Sequence, residues 1–194
     1  MDEEKEFSLN LKEKKVCVEL ARKSIKFSID NECLLKLTKN ELDFIPKKLF
    51  EKKACFVTLK INNQLRGCIG NLVPYDELYN QIIKNAYSAA FSDPRFSQLK
   101  KDELNDVDIE VSILTEPKKL FFQDAKDLLK KITKKDGIIL SKGTQCATFL
   151  PSVWEEISKK EDFLSCLCQK AGLDANEWKK GTVSIQVYHS VCAN

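Results

Sequence analysis

Apolar residues recur at helical spacing in two segments of the N-terminal half. The spacing predicts a helix over residues 11–28 and a second over 76–92, which Asp93-Pro94 ends. Residues 54–69 lie between them and are rich in β-formers, with a turn signal at Asn62-Asn63. This pattern predicts a β-hairpin placed between two amphipathic helices.

The C-terminal half begins with a strict alternation of apolar and polar residues over 107–114, which is typical of a half-buried strand. Glu116-Pro117 is a plausible lobe boundary. The remaining predicted elements are a helix at about 123–133, strands at 137–140 and 145–150, helices at 151–157 and 161–171, a short helix around Trp178, and a strand at 182–188. Because hairpins join the strands, the fold class is predicted to be α+β with a mainly antiparallel sheet flanked by helices.

Composition places the chain among ordinary globular proteins. Of its 194 residues, 43% are hydrophobic and 31% are charged, and the net charge is only +3. Basic residues are spread evenly, so nucleic acid is an unlikely partner. The N-terminus is acidic and no long apolar run follows, which argues against a secretory signal or a membrane span and favours the cytoplasm.

Eight cysteines accompany a single histidine, His189. One histidine argues against a His-rich metal site, and the chain contains no CxxC pair. Cys166 and Cys168 are too closely spaced for the usual zinc knuckle, so neither a metal nor another cofactor is expected. In the reducing cytoplasm most of the cysteines are expected to be small buried hydrophobic residues.

The segment Leu65-Arg66-Gly67-Cys68-Ile69-Gly70 is the densest cluster of candidate chemistry. On a regular strand Arg66 and Cys68 share a face, and a guanidinium there could favour the thiolate and bind a carboxylate or phosphate. Gly67 and Gly70 allow a ligand or another part of the backbone to approach closely. The alternative is structural: Arg66 pairs with a core carboxylate, Cys68 fills space, and the glycines permit a bulge.

Two further clusters contain polar residues. Asp93-Pro94-Arg95-Phe96 follows the second helix and forms either a rigid turn with a local ion pair or part of a cleft. Asn85 lies on the polar stripe of that helix, which is expected to be solvated. Glu110 and Ser112 lie on the polar side of the 107–114 strand, where Arg66 and Arg95 are the natural partners of Glu110. A Glu110 held away from both arginines could be a general base.

The ordered set of motifs resembles the AMMECR domain family, whose prokaryotic members are called AmmeMemoRadiSam system protein A. The resemblance covers nearly the whole chain. The matching segments are Phe56–Lys60, the LRGCIG segment, Asn85-Ala86, Ala89-Ala90, Asp93–Phe96, Ile109–Leu114, Asp136-Gly137, Phe149–Pro151, Lys170–Leu173 and Trp178. Each segment is weak alone, and the ordered set is highly specific.

The resemblance implies a two-lobe α+β fold in a single AMMECR-type domain over residues 1–194. The larger lobe is expected to comprise 1–118 and 158–194, the smaller lobe 119–157, and the motif residues to face the cleft between the lobes. It also implies an association with a Memo-type protein and a radical SAM enzyme. The family has no established reaction, so the resemblance predicts the fold much better than the function.

Three functional hypotheses follow. In the first, the protein is an enzyme or enzyme component acting on a small anionic substrate: Cys68 is the nucleophile or thiol ligand, and Glu110 or Asp93 is the base. The substrate-binding residues are then Arg66, Gly67, Gly70, Asn85, Arg95 and Ser112. In the second, the protein is a non-catalytic binding or scaffold subunit for the Memo-type and radical SAM partners. The third is a nucleic-acid-associated protein.

Overall fold

The computed structural model describes residues 7–194, which form two compact units. The first unit extends to Leu114 and adds Val191–Asn194, and the second is Thr115–Ser190. Residues 1–6, on which the expectation of a missing signal sequence partly rests, lie outside the described residues. None of the helices in residues 7–194 has the length and hydropathy needed to cross a bilayer.

The described elements confirm the predicted α+β class and most of the predicted boundaries. In chain order they are α1 (Leu11–Asn31), α2 (Lys39–Leu42), β1 (Cys55–Ile61), β2 (Gln64–Gly70), α3 (Leu78–Phe91), β3 (Val107–Leu114), β4 (Lys118–Leu120), α4 (Ala125–Lys131), β5 (Gly137–Lys142), β6 (Gln145–Phe149), α5 (Val153–Glu156), α6 (Lys160–Lys170), β7 (Ser184–Tyr188) and β8 (Ser190–Ala193). Short 3-10 helices occur at Lys47–Phe50, Glu103–Asn105 and Glu177–Lys180.

The first unit is built on a four-stranded sheet with the order β2-β1-β3-β8. Strand β1 alternates between buried and half-buried residues: Val57 and Leu59 are fully buried in the core formed with α1 and α3, whereas Thr58 is half-buried on the opposite face. Strands β2 and β3 both pair with β1 in antiparallel register. One face of the sheet therefore packs on helices, and the other carries the polar candidates.

Helix α3 packs unusually close to strand β2. A Cβ atom on Gly67 would lie 2.2 Å from the carbonyl oxygen of Ala89, so only glycine fits against the helix backbone at this point. The small side chains of Ala86, Ala89 and Ala90 are buried on the same helix. This contact brings the C-terminal end of α3 beside the middle of β2.

The second unit has its own sheet, with the order β4-β7-β5-β6, and its own core. Trp154 stacks on Phe163, with ring centroids 3.6 Å apart and an interplanar angle of 6°. Glu177 is buried and accepts hydrogen bonds from Lys142, Thr182 and Lys180. These contacts lower the pKa of Glu177 to about 2, with the bond from Lys142 as the largest cause.

The predicted lobe boundaries differ from those of the structure. The smaller lobe was expected at 119–157, but the second unit extends from 115 to 190. Strand β7 pairs with both β4 and β5, and the buried face of α6 belongs to the second core, so residues 158–190 join this unit. The strand predicted at 182–188 is β7 of the second sheet, and the first sheet instead receives β8, which the sequence pattern did not predict.

We predict that Gly67→Ala destabilises the first unit, because the new Cβ collides with main-chain atoms that cannot rotate away. The expected loss in the free energy of unfolding is about 2–3 kcal/mol, measured by urea denaturation. Gly143→Ala is the matched control. A Cβ atom on Gly143 would have no atom within 4 Å, and the residue has a φ of +58°, so the expected loss is only about 1 kcal/mol of backbone strain. Equal losses in the two variants would contradict the role assigned to the helix contact.

Candidate functional site

Cys68 lies in the middle of β2, on the edge of the first sheet, and its side chain is half-buried. Its main-chain N–H and C=O point away from β1, so Cys68 and its register partner Thr58 form a non-hydrogen-bonded pair. In such pairs the side chains lie close together. The Cys68 Sγ atom is accordingly 3.3 Å from Thr58 Oγ1.

Asp93 and Arg95 hold the main chain of Cys68 from the outer side of the edge strand. Asp93 Oδ2 accepts a hydrogen bond from the Cys68 N–H at 2.9 Å, and Arg95 Nη2 donates to the Cys68 carbonyl oxygen at 3.3 Å. The two side chains also pair with each other, through Nε–Oδ1 at 3.0 Å and Nη2–Oδ2 at 2.7 Å. We call these two residues the Cys68 clamp.

The clamp changes the role predicted for Asp93. Its carboxylate is buried and accepts four hydrogen bonds, three from Arg95, including one from the Arg95 N–H at 3.1 Å, and one from Cys68. The Arg95 side chain, aided by the two main-chain N–H groups, holds the pKa of Asp93 far below its usual range. A carboxylate with a strongly lowered pKa and four hydrogen bonds is a poor general base, so these contacts favour a structural role for Asp93 over the predicted role of base.

Arg66 does not serve as a free anion-binding group. It donates to both carboxylate oxygens of Glu103, at 2.8 and 3.0 Å, and to the carbonyl oxygens of Ser97 and Gln98. The register between β1 and β2 shifts from Leu59↔Gly67 to Lys60↔Leu65, so Arg66 is the extra residue of a bulge and regular alternation does not hold there. Arg66 therefore fastens the segment after α3 to strand β2.

Atoms of this protein itself occupy the space beside Gly67 and Gly70. Gly67 faces the α3 backbone, as described above. A Cβ on Gly70 would lie 2.3 Å from the Phe56 ring and 2.5 Å from the Cys55 carbonyl oxygen. The close approach that the glycines were expected to permit is therefore made by residues of this protein.

Two amides of the polar stripe of α3, Gln81 and Asn85, are buried, contrary to expectation. Asn85 is only 5% exposed and donates to the Cys55 carbonyl oxygen at 2.9 Å and to Asn71 Oδ1 at 3.1 Å. Gln81 is fully buried and donates to two main-chain carbonyl oxygens. Because these amides satisfy buried backbone acceptors, Asn85 has a structural role in this fold.

Glu110 lies on the same sheet face as Cys68, and its carboxylate pairs with a lysine instead of the predicted arginine. Its carboxylate is 3.6 Å from Lys60 Nζ and accepts a weak hydrogen bond from the buried Ser112 hydroxyl at 3.3 Å. Thr58 is the register partner of both Glu110 and Cys68, so the two Cα atoms lie roughly 10 Å apart across β1. The Glu110 carboxylate contacts Lys60 and Ser112, whereas the Cys68 Sγ atom contacts the Thr58 hydroxyl.

Thr58 and Lys60 join the candidate site although the sequence reasoning did not select them. The alternation of apolar and polar residues along β1 would have identified them. Because Val57 and Leu59 lie in the core, Thr58 and Lys60 must lie on the opposite face of the sheet. Glu103 was also missed, and no local pattern could have identified it as the partner of Arg66, 37 residues earlier in the chain.

The other cysteines divide by burial. Cys17, Cys55 and Cys168 are buried as expected, and burial raises the pKa of Cys17 and of Cys55 to about 12. Cys33, Cys146 and Cys192 are exposed, so the expectation of mostly buried thiols fails for these three. Within residues 7–194, no three His, Cys, Asp or Glu side chains converge as a metal site would require, and His189 Nε2 lies 3.0 Å from Asp136 in the second unit.

We predict that Asp93→Asn lowers the free energy of unfolding at pH 7 by about 2 kcal/mol, because it removes charge-assisted hydrogen bonds to Arg95 and Cys68. The folded-state pKa of Asp93 is depressed, so its contribution is complete above about pH 4 and is lost as the pH falls further. Urea denaturation should therefore show a smaller difference between variant and wild type at pH 3 than at pH 7. A difference that does not change with pH would contradict the ionic role of Asp93.

Comparison with known proteins identifies the family of this chain and agrees with the observed fold. The sequence model of the AMMECR1 family matches residues 18–193. Protein Mbar_A1807 of Methanosarcina barkeri is 40% identical over 172 residues, covering 87% of this chain and 84% of the relative. Protein MK0488 of Methanopyrus kandleri is 37% identical over 191 residues, covering 94% and 88% respectively.

A solved structure is similar over almost the same length. The crystal structure of the uncharacterized protein PH0010 from Pyrococcus horikoshii superposes with a TM-score of 0.86 at 31% identity, covering 96% of this chain and 93% of that one. Family match, sequence relatives and fold agree over nearly all of the chain. The protein therefore belongs to the AMMECR1 family.

Proposed function

We propose that the protein is an enzyme or enzyme component that acts on a small anionic substrate at Cys68. The observation that carries this proposal is the Cys68 clamp. A half-buried thiol is held by its neighbours on a rigid strand, and a charged guanidinium binds to the main chain of the same residue. Asp93 balances the charge of Arg95, and what the clamp offers an anion beside the fixed thiol is a guanidinium group held in place with one nitrogen still available as a donor.

Arg95 is the anion-binding group in this proposal. Its side chain is 53% exposed, although Nε and Nη2 are engaged with Asp93 and Cys68. Nη1 makes no hydrogen bond to any of the described residues and is free to donate to a carboxylate or phosphate. Because Arg66 is bound to Glu103, Arg95 takes the role that the sequence assigned to both arginines.

Glu110 then acts on the substrate and not on the thiol. Its carboxylate and the Lys60 ammonium form an acid–base pair on the same sheet face as Cys68, separated from it by the Thr58 hydroxyl. The Cα atoms of Cys68 and Glu110 lie roughly 10 Å apart across β1, so a small molecule placed over Thr58 can contact both side chains. In this proposal the anionic end of that molecule lies near Arg95.

A second candidate function is a non-catalytic binding or scaffold subunit for a Memo-type protein and a radical SAM enzyme in the cytoplasm. The observation that favours it is the internal pairing of the charged motif residues. Arg66 with Glu103 and Arg95 with Asp93 stabilise the fold of this chain itself. Pairs of this kind are common in purely structural networks, so the two functions must be separated by experiment.

The first experiment compares alkylation of Cys68 by iodoacetate and by iodoacetamide, which have similar size and differ in charge. In each reaction the sulfur forms a bond to the CH₂ carbon, iodide leaves and the thiol proton goes to solvent. We expect the ratio of iodoacetate to iodoacetamide rates to be higher at Cys68 than at the exposed Cys33 and Cys146, by about fivefold. Peptide mass spectrometry gives all three rates in one sample.

The matched variant is Arg95→Gln, which keeps two N–H donors and removes the charge. It should reduce the rate ratio at Cys68 to that of Cys33 and leave the ratios at Cys33 and Cys146 unchanged. Two results would contradict an anion site at this thiol: no reaction of Cys68 with either reagent, or the same rate ratio at Cys68 in Arg95→Gln as in wild type. Thermal melting of the variant shows whether the fold is retained.

The second experiment separates enzyme from scaffold. Purified wild type, Cys68→Ser and Cys146→Ser are each added to clarified extract of the source organism, so that any partner protein is present. We expect wild type and Cys146→Ser to deplete the same small anion, detected by mass spectrometry, and Cys68→Ser to deplete it at least 100-fold more slowly, as expected for loss of a nucleophile. Equal depletion by all three would contradict a catalytic role of Cys68, and no depletion by wild type would favour the scaffold.

A further inference from the structure

A second cavity lies in the first unit, on the side of the helices. It has a volume of about 440 Å³, within the usual range for small-molecule sites. The C-terminal end of α1, the face of α3 and the segment that follows α3 form its walls. Its lining residues include Ser28, Glu32, Tyr87, Phe91 and Gln98.

The C-terminal end of α1 contributes negative charge to one wall of this cavity. The helix has 21 residues and no basic residue in its last turn, so no side-chain cation on that turn neutralises the partial negative charge of its final carbonyl groups, although the Asn31 amide donates to the Phe27 carbonyl oxygen at 2.8 Å. Glu32, the C-cap residue, adds a full negative charge at the same end. Asp30 nearby is neutralised by Lys101 at 2.7 Å, whereas none of the described residues forms an ion pair with Glu32.

Aromatic rings form the opposite wall of the cavity. Tyr87 and Phe91 lie one helical turn apart on α3, with ring centroids separated by 5.2 Å and planes tilted by 51°. The faces of such rings attract cations. The Tyr87 hydroxyl and the Gln98 side chain make no hydrogen bond to the described residues, so both remain available to a ligand.

The wall is held in place before any ligand binds. Arg66 Nη2 donates to the Gln98 carbonyl oxygen at 3.4 Å, and the Leu99 N–H donates to the Ala90 carbonyl oxygen at 2.8 Å. Both bonds attach the segment after α3 to regular structure. A pre-formed cavity loses little conformational entropy on binding.

From these observations we propose that the cavity bounded by Glu32, Tyr87 and Phe91 is a binding site for a small organic cation, either a primary or a quaternary amine. The Glu32 carboxylate and the helix end supply the negative charge, and the two rings cover the alkyl or methyl groups of the amine. The proposal is independent of Cys68 and of the reaction at the other face of the sheet.

The test titrates the full chain with choline chloride and with 3,3-dimethylbutan-1-ol, the neutral carbon isostere of choline, at constant ionic strength maintained with NaCl. Binding is followed by the amide NMR signals of Glu32, Tyr87 and Gln98, and n-butylammonium against butan-1-ol tests the primary amine. We expect at least one of the two cations to bind with a dissociation constant on the order of 1 mM and its isostere at least fivefold more weakly. Equal binding of cation and isostere, or no binding by either cation, would overturn the proposal.

Two variants locate the charge. Glu32→Gln should weaken binding of the cation by about fivefold, whereas Glu19→Gln, with the same charge change on α1 roughly 20 Å away, should leave it unchanged. Both residues are exposed, so neither variant should alter the melting temperature. Equal effects of the two variants would show general electrostatics and overturn a site at Glu32.

A final arm separates a free amine from a protein side chain. Nα-acetyl-lysine methylamide carries the same ammonium as n-butylammonium on a peptide backbone. Weaker binding of this compound supports a small free amine. Tighter binding would assign the cavity to a lysine of a partner protein and overturn the small-molecule proposal.

Discussion

The close contact between helix α3 and strand β2 determines the arrangement of the candidate site. At Gly67 the strand has no side chain, and the carbonyl oxygen of Ala89 occupies the space that a Cβ would fill. Because the helix backbone lies this close, the turn after α3 comes within hydrogen-bond distance of the outer edge of β2. Asp93 and Arg95 can then reach the main chain of Cys68. A larger residue at 67 would move the turn and separate the clamp from the thiol.

The edge position of β2 explains why a charged pair is found there. An edge strand presents unpaired N–H and C=O groups that would otherwise bond to water or to another chain. Asp93 and Arg95 satisfy these groups at Cys68, and Arg66 binds the segment that follows to the same strand. The same side chains therefore satisfy the unpaired main-chain groups of the edge strand and hold the Cys68 thiol in its orientation. This dual use is why burial and pairing alone do not distinguish an enzyme from a scaffold in this protein.

The helical and the open faces of the sheet have different chemical character. The open face carries Cys68, Thr58, Lys60 and Glu110 in neighbouring positions, where the proposed anionic substrate would lie. On the other side, the negative end of α1 and the rings of α3 form a cavity suited to a cation. The segment that Arg66 holds lies along this cavity, so one bulged residue of β2 supports a wall of the second site. The two proposed sites therefore differ in the sign of the charge that each would accept.

The sequence by itself determined the secondary structure, the α+β class and the family. Helix α1, the β1–β2 hairpin and β3 depend on residue periodicity and turn chemistry within a few positions, which are visible in any single chain. It also distinguished Cys68 from the other cysteines through its glycine and arginine neighbours. The tertiary structure decided the partners: Glu103 for Arg66, Lys60 for Glu110, and the Cys68 main chain for Asp93. It also decided the burial of Asn85 and the division of the chain at 115 and 190. Several carboxylates and carbonyl groups of the chain could have paired with each of these side chains. Packing of distant segments decides which of them comes within about 3 Å, and the local sequence pattern does not contain this information.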